Sequence, residues 1–253
     1  MAQQGERSEK VLIGGRKPVE ELLRDKPGSV DVVNLKKGPQ DLKCRRIVAA
    51  CKELDIRYKF IDGTSMDRLF TGNHQGVVAQ VAAMEYADLD TLFEKGKEAP
   101  LPLIVALDRV QDTGNVGAIA RTMWCLGGAG LVVPQHEGAY LGSGALKASA
   151  GALTQLPVAR AVNMARMLEQ AVKAGYTVYG AHDCEGAWNA FDPKISLSLP
   201  AVLVLGNEEK GIRPGVAKQC DVSLAIPLAR KFDSLNVAQA GAILIARFAG
   251  LPM

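Results

Sequence analysis

The sequence is poor in the residues and patterns that mark several classes of protein. Only 5% of its 253 residues are aromatic, and it has three histidines and five cysteines. No apolar run approaches the roughly 20 residues of a membrane span, and residues 1–10 lack the apolar core of a signal peptide. We therefore expect a cytoplasmic protein whose residues 1–10 are disordered.

The cysteines and histidines show no spacing typical of a metal site or of a disulfide framework. An odd number of cysteines with no CxxC fits reduced thiols in a cytosolic protein. No Ser–His–Asp or Cys–His arrangement is legible. We predict no bound metal and treat these residues as structural: Cys44, Cys51, Cys125, Cys184, Cys220, His74, His136 and His182.

Positive charge is concentrated in the first third of the chain. The net charge is +3, and residues 1–85 contain 15 Lys/Arg against 12 Asp/Glu, which accounts for the whole excess. Basic clusters on one module suit a polyanionic partner, although solvated surface lysines explain them equally well. The clustered residues are Arg16, Lys17, Lys36, Lys37, Lys43, Arg45 and Arg46.

Apolar runs and turn residues predict an α/β protein with two domains. Residues 1–84 alternate strands and helices in a compact module, and residues 85–102 have the composition of a linker with room for one short helix. Residues 103–253 alternate continuous apolar strands with helices, including one over 143–155. Such strands indicate a parallel sheet covered on both faces.

Three polar loops follow predicted strands, where parallel sheets bind their ligands. In the loop 108–121, Asn115 lies at a helix start, and Arg121 shares a helix face with Gly117 and Ala118. These small neighbours leave room for a ligand or for another backbone, and a guanidinium is well shaped to bind phosphate. A surface arginine on a packing helix is the competing interpretation.

The other two loops are 206–215 and 226–236. The first contains glycines with Glu208 and Glu209, but it has no Walker pattern. The second leads into a helix that is apolar nearly all round, which predicts burial, and Ser234 is its predicted N-cap. A capped, buried helix explains this stretch as well as a ligand site does. The residues alone do not define a reaction.

Taken together, the three loops resemble the three motifs of the SpoU/TrmH family in the SPOUT superfamily of RNA methyltransferases. The N-terminal module resembles that family's L30e-like RNA substrate-binding domain, through residues 15–23 and 74–81. The motif positions are Asn115, Gly117 and Arg121 in the first loop, Gly206, Glu208 and Gly211 in the second, and Ile226, Pro227, Ser234, Leu235, Asn236 and Val237 in the third.

The resemblance implies an S-adenosylmethionine-dependent ribose 2′-O-methyltransferase, closest to bacterial enzymes that modify a guanosine of 23S rRNA. It also implies a homodimer and a SPOUT domain with a deep C-terminal trefoil knot. It assigns catalysis to Arg121, Asn115, Ser234, Asn236 and Glu208. It assigns cofactor binding to Leu205, Gly206, Asn207, Gly211, Ile226, Leu228, Ser234 and Leu235. It assigns RNA binding to the seven clustered basic residues named above, Arg16, Lys17, Lys36, Lys37, Lys43, Arg45 and Arg46.

Two departures from the family pattern leave alternatives open. Arg230 stands where the family usually has glycine, and Ala238-Gln239 stand where it often has Ser-Val. An arginine beside the cofactor loop could alter the backbone or fill part of the pocket. The alternatives are a non-catalytic RNA-binding or ribosome-assembly protein, and a tRNA or antibiotic-resistance rRNA methyltransferase.

Overall fold

The computed structural model describes residues 12–25, 27–38, 42–81, 86–230 and 234–250, without the side chains of Lys43 and Ser143. The predicted disorder of residues 1–10 lies outside this range. The main division of the chain, into two compact units, falls after Glu85. Among the helices described, none has the length and apolar character needed to cross a membrane.

The N-terminal unit is built on a four-stranded mixed sheet with the strand order β1-β4-β2-β3. Strands β2 and β3 are parallel, and the other pairs are antiparallel. The helices α1 and α2 bury one apolar face each, through Val19 and Leu23 and through Ile47 and Cys51. The elements are β1 (Leu12–Gly14), α1 (Arg16–Asp25), β2 (Val30–Lys36), α2 (Leu42–Glu53), β3 (Tyr58–Ile61), α3 (Gly63–Leu69) and β4 (Val77–Val81).

The C-terminal unit is built on a seven-stranded sheet in which every adjacent pair is parallel, with the order β7-β6-β5-β10-β8-β11-β9. Its strands are β5 (Leu101–Asp108), β6 (Gly128–Pro134), β7 (Val158–Ala161), β8 (Thr177–Ala181), β9 (Trp188–Asn189), β10 (Ala201–Gly206) and β11 (Val222–Ala225). Its helices are α4 (Leu89–Gly96), α5 (Thr113–Cys125), α6 (Ser143–Ala148), α7 (Met164–Lys173), α8 (Pro214–Ala217) and α9 (Val237–Phe248).

The central strands β5 and β10 are buried along nearly their whole length. The residues 103–107 and 201–205 are at most 1% exposed, as expected for strands covered on both faces. The prediction of a parallel α/β sheet is confirmed. The register pairs Gly206 with Asp108, so β5 and β10 end side by side and deliver their following loops to one edge.

The short helix allowed for in residues 85–102 is present, whereas the long helix predicted over 143–155 is not. The stretch interpreted as a linker contains α4, whose Leu92 and Phe93 are buried in the core of the larger sheet. The predicted helix over 143–155 is wrong, because α6 ends at Ala148 and a separate 3-10 turn covers Ala152–Thr154. The break lies where Ala150 and Gly151 adopt positive φ, which an α-helix does not allow.

The C-terminal helix α9 is apolar all round but is fully buried on one face only. Gly241, Leu244 and Ile245 face the core, whereas Ala242 and Ile243 remain half-buried. A Cβ added at Gly241 would lie 2.9 Å from Leu205 Cδ1, so the glycine allows α9 to approach β10 closely. The helix therefore packs directly over the strand that leads into the second polar loop.

Candidate active site

A cavity of about 370 Å³ opens at the carboxyl ends of β8, β10 and β11. This edge is where open parallel sheets bind ligands, and the volume lies within the roughly 300–1,000 Å³ typical of small-molecule sites. The structure places all eight predicted cofactor-binding residues on its wall: Leu205, Gly206, Asn207, Gly211, Ile226, Leu228, Ser234 and Leu235.

The second polar loop forms one wall of the cavity as a tight turn over residues 207–211. The backbones of Asn207 and Gly211 exchange two hydrogen bonds, of 3.1 and 2.8 Å. Gly211 has φ +64°, and a Cβ at Gly206 would lie 2.3 Å from the carbonyl carbon of Gly211. Both positions therefore require glycine, one for its φ and the other for space. The Asn207 Oδ1 accepts from the amides of Glu209 and Lys210, which closes the turn further.

The end of β5 holds this loop at both of its ends. The amide and the Nε of Arg213 each donate to the Asp108 carboxylate at 2.8 Å. Asp108 is fully buried, and the Arg213 guanidinium forms an ion pair with it. At the other end, Asn207 Nδ2 donates to the carbonyl oxygen of Arg109 at 3.2 Å. The turn 207–211 is thus fixed relative to the sheet.

One chain of side-chain hydrogen bonds joins the three polar loops. Asn236 Nδ2 donates to Asn115 Oδ1 at 3.1 Å, and Asn115 Nδ2 donates to Glu208 Oε1 at 2.6 Å. The orientation of both amides follows from the helix cap. Asn236 Oδ1 accepts from the amides of Ala238 and Gln239, so its Nδ2 is the group left to face Asn115. Asn115 must therefore present its oxygen to Asn236 and its NH₂ to Glu208.

The N-cap of α9 is Asn236, and the prediction of Ser234 in this role is wrong. Helix α9 begins at Val237, which leaves Ser234 and Leu235 outside the helix on the cavity wall. Asn236 is an equally good capping residue, and its side chain satisfies two amides of the first turn. The polar cap and the link to Asn115 therefore use the same side chain.

Arg121 lies on the exposed face of α5. Helix α5 is capped by Asp112, whose carboxylate accepts from the Asn115 amide at 2.7 Å. Within the described residues, Arg121 makes no hydrogen bond or ion pair and does not line the cavity. The space beside Gly117 is filled by the end of α6, since a Cβ there would lie 2.8 Å from the Ser149 amide. The small residue at 117 thus serves close packing, and the guanidinium is available for a ligand.

Two polar residues on the cavity wall, His182 and Asp183, were not predicted as site residues. They directly follow β8, so their position at the carboxyl end of a parallel strand was the available signal. The carboxylates of Asp183, Glu208 and Glu209 are the acidic groups on the described wall, and no described lysine or arginine lines it. The described wall of the cavity is therefore acidic, with an apolar floor.

The N-terminal unit contains a separate cleft of about 560 Å³ with a basic lining. It brings together three of the predicted RNA-binding residues, Arg16, Lys36 and Lys37. Arg16 is held by Gln75, whose carbonyl oxygen accepts from its Nε at 3.1 Å. The structure does not bring the other described candidates into this cleft. Lys17 and Arg45 are exposed elsewhere, Arg46 lines a groove with Leu54, and the Lys43 side chain is outside the described set.

His74 also lines the basic cleft, although the sequence had suggested only a structural residue. Its Nδ1 accepts from the Gly76 amide at 2.9 Å, and its Nε2 lies 2.8 Å from Asp67. Because Nδ1 is an acceptor, the proton is on Nε2 and points to the carboxylate. His74 thus holds the loop that forms one side of the cleft.

No cysteine lines the described wall of the cavity. All five cysteines are free. Burial raises the pKa of Cys51 to about 11 and that of Cys220 to about 12, so both thiols stay protonated at neutral pH. In the part of the chain that the structure describes, no group of three His, Cys, Asp or Glu side chains is placed to hold a metal ion.

Comparison with known proteins identifies the family of this chain. Residues 102–246 match the SpoU rRNA Methylase family. The chain belongs to this family. Residues 12–87 match the domain described as RNA 2'-O ribose methyltransferase substrate binding. The prediction of a SpoU/TrmH-type RNA methyltransferase is confirmed, and the C-terminal trefoil knot that the family implies stays a prediction.

Individual relatives agree with this placement. A putative TrmH family tRNA/rRNA methyltransferase, YacO of Bacillus subtilis, is 35% identical over 80% of this chain and 81% of its own. The structure of a putative RNA methyltransferase of the TrmH family from Porphyromonas gingivalis has a TM-score of 0.54 at 27% identity, covering 94% of this chain and 88% of that one. An AdoMet-bound rRNA methyltransferase from Sinorhizobium meliloti shares the fold, with a TM-score of 0.57 at 24% identity over 96% and 88%.

Proposed function

We propose that this protein transfers a methyl group from S-adenosylmethionine to a ribose 2′-hydroxyl in RNA, most specifically a guanosine of 23S rRNA. The observation that carries the proposal is the hydrogen-bond chain Asn236–Asn115–Glu208, which ties all three motif loops together at the acidic cavity. The relatives named above are described as tRNA/rRNA methyltransferases, which supports RNA as the substrate class.

The cavity fits the cofactor in size and in chemistry. Its volume suits a nucleoside-sized ligand, and apolar residues such as Leu205 and Leu235 provide surfaces for a purine. The carboxylates of Asp183 and Glu208 complement a ligand that carries a sulfonium and an ammonium group. The turn 207–211 offers backbone groups for hydrogen bonds. S-adenosylmethionine supplies, when bound, an electrophilic methyl group on sulfur.

The residues of the chain act mainly by orienting the RNA. Asn115 keeps one Nδ2 hydrogen and one Oδ1 lone pair after its two described hydrogen bonds, so it can hold a hydroxyl. Glu208 fixes that amide and thereby positions Asn115. Arg121 has a free guanidinium that suits the phosphate beside the target ribose. A guanidinium keeps its proton at ordinary pH, so Arg121 acts as a donor and a positive charge, not as a base.

The basic cleft of the N-terminal unit is the proposed RNA-binding surface. Arg16, Lys36 and Lys37 line it together, and its polar rim includes Asn73 and Gln75. Neutralising several phosphates in one cleft gives a large, salt-dependent share of the affinity for RNA. The domain match at residues 12–87 supports this role.

The alternative of a non-catalytic protein rests on Arg230 spoiling the cofactor site, by altering the backbone or by filling part of the pocket. Arg230 is exposed and does not line the described part of the cavity wall. This position speaks against filling of the pocket and favours the catalytic proposal. The choice between rRNA and tRNA does not depend on the cavity, because both carry the same ribose.

A homodimer and a cytoplasmic location complete the proposal. The half-buried apolar residues Ala242, Ile243 and Ala246 on α9, together with Trp124 on α5, 48% exposed, leave apolar surface for a second copy. We expect a dimer in sedimentation velocity at micromolar concentration. A monomer across that range contradicts this part of the proposal.

The cavity can be tested by two glycine substitutions in one region. Gly206→Ala places a Cβ against Gly211 and should abolish the binding of S-adenosylhomocysteine in calorimetric titration. Gly215→Ala is the matched control, because its Cβ meets no atom within 4 Å. Equal binding by both variants contradicts the cavity assignment.

The reaction and its substrate can be tested in cells and in vitro. RNA from a deletion strain is expected to lack one ribose 2′-O-methyl group in 23S rRNA, and the purified protein is expected to restore it with tritiated cofactor. Restoration in tRNA instead would keep the reaction and correct the substrate. No transfer to either RNA, with cofactor binding intact, contradicts the proposed activity.

A further inference from the structure

Two residues near the turn 207–211 have a positive φ, which is unusual for residues other than glycine. Arg109 has φ +62° and Glu137 has φ +61°. Side chains other than glycine disfavour this left-handed region by roughly 1–2 kcal/mol per residue. In the described part of the C-terminal unit, Ala150 is the only other non-glycine residue with positive φ. Such strain persists only where surrounding contacts enforce it, and it clusters at functional sites.

The contacts that enforce the strain join these two residues to each other. The Arg109 guanidinium forms an ion pair with the Glu137 carboxylate. The neighbouring backbone is held as well, since Gln111 Nε2 donates to the Glu137 carbonyl oxygen at 3.3 Å and the Ala139 amide donates to Val110 O at 3.0 Å. The loop after β6 therefore braces the loop after β5.

In this strained conformation, the carbonyl group of Arg109 faces the turn 207–211. Asn207 Nδ2 donates to that carbonyl oxygen at 3.2 Å. The Oδ1 of the same amide accepts from Glu209 N and Lys210 N at 3.0 and 3.2 Å. Asn207 thus closes the turn with one end of its amide and is fixed to β5 by the other. A relaxed conformation at Arg109 would withdraw the acceptor and leave the turn without this anchor.

We propose that Arg109 is a positioning residue for cofactor binding: its left-handed conformation, held by the ion pair with Glu137, keeps the turn 207–211 in its binding geometry. The inference rests on the proposed function, since the ligand of the turn is the proposed cofactor. Neither side chain lines the described cavity wall, so both act through Asn207.

The test compares Arg109→Ala with Arg109→Gly. Both variants lack the guanidinium, and they differ only in their tolerance of positive φ. Arg109→Ala should bind S-adenosylhomocysteine about fivefold more weakly than Arg109→Gly, because the alanine relaxes away from the left-handed region before binding. In steady-state assays the KM for S-adenosylmethionine should rise in the same ratio while kcat stays unchanged. Restoration of affinity by glycine is an effect that loss of the side chain alone does not produce.

Two further variants assign the role of the ion pair and control for strain. Glu137→Asn tolerates the left-handed conformation but is too short to reach Arg109, and it should weaken binding about twofold. Combined with Arg109→Gly it should have no further effect. Ala150→Gly is the control, because Ala150 shares the conformation (φ 49°) but has no described hydrogen bond to the turn. It should leave the dissociation constant unchanged.

The outcomes separate this inference from the proposed function. If the wild-type protein does not bind S-adenosylhomocysteine, the cavity assignment is wrong and the positioning role loses its ligand. If the wild type binds and the Ala and Gly variants at position 109 bind equally well, the positioning role is overturned while the proposed function stands. An equal loss in both variants, without rescue by glycine, overturns the backbone role and assigns the effect to the guanidinium.

Discussion

The basic cleft of the N-terminal unit and the cavity of the C-terminal unit carry opposite charge. Arg16, Lys36 and Lys37 line the cleft, and no described acidic residue does. Asp183, Glu208 and Glu209 line the cavity, and no described basic residue does. Opposite fields select opposite ligands: the cleft suits a polyanion, and the cavity suits a ligand that carries positive charge. We therefore propose that RNA and methyl donor are bound by separate units of one chain.

The two sites also differ in how firmly they are built. The cavity wall is fixed by hydrogen bonds that reach β5, α5 and α9. In the cleft, Arg16 is held by Gln75, and Lys36 and Lys37 are exposed. A rigid pocket favours one small ligand in one pose, whereas exposed long side chains suit a phosphate backbone of variable shape.

The largest expected effect comes from replacing Arg121, a residue that lines neither the described cleft nor the described cavity. Arg121→Ala should lower kcat/KM for methyl transfer at least about 100-fold, as removal of one charge-stabilising donor typically does. The affinities for S-adenosylhomocysteine and for RNA should change little. Arg166→Ala, at an exposed arginine on α7, is the matched control. Near-wild-type transfer by the Arg121 variant would remove this residue from the mechanism.

The next effect concerns the buried anchor of the cavity. Asp108→Asn leaves the Arg213 side chain, which is 34% exposed, without its carboxylate partner, and loss of these charged hydrogen bonds should cost about 1.5–3 kcal/mol in the free energy of unfolding. Urea unfolding followed by circular dichroism measures this loss. The RNA affinity of the folded variant should stay close to wild type, since the cleft lies in the other unit. An unchanged unfolding midpoint would show that the ion pair contributes no stability.

The charge of the cleft can be tested with a pair of lysines. Lys36→Ala combined with Lys37→Ala should weaken RNA binding about tenfold and reduce the slope of log affinity against log salt by about 1.5–2. The dissociation constant of the cofactor product should not change. The double variant Lys173→Ala/Lys218→Ala, at exposed lysines of the C-terminal unit, controls for net charge. If both double variants weaken RNA binding equally, the cleft has no specific role in binding RNA.

The smallest expected effect is a difference between the affinities for S-adenosylmethionine and for its product, S-adenosylhomocysteine. Asp183→Asn should weaken S-adenosylmethionine about threefold, within the range of an exposed ion pair, and leave the neutral-sulfur product nearly unaffected. Glu185→Gln, an exposed acid two residues away and outside the described wall, is the control. Paired calorimetric titrations give the ratio. Equal weakening of both ligands would mean that Asp183 does not interact with the sulfonium, since both ligands carry the ammonium group.

The sequence was sufficient for the parallel sheet and for the family, because both depend on patterns that repeat along the chain. Continuous apolar strands identify a sheet covered on both faces, and the three loops carry their motif residues at fixed spacings. The same patterns could not show that Asn115 bonds to Glu208, because that contact spans 93 residues and depends on the register of β5 against β10.

The sequence-based predictions that were wrong or incomplete failed for local reasons. Ser234 and Asn236 are both good capping residues, and residue type alone does not show which of them accepts from the first-turn amides of α9. The helix over 143–155 is interrupted because Ala150 takes a conformation that no propensity scale assigns to alanine. His182 and Asp183 were missed because nothing in their own residue types distinguishes a cavity wall from a surface loop.

The link between Asn236 and Asn115 spans 121 residues, and this separation has a consequence for the order of folding. Contacts between residues so distant in sequence form late, because the entropy of closing the intervening loop must be overcome first. Helices in this chain can therefore form before the three motif loops meet. On the proposed function, binding of S-adenosylhomocysteine requires that these loops have met, so we expect gain of binding to report a late step in folding.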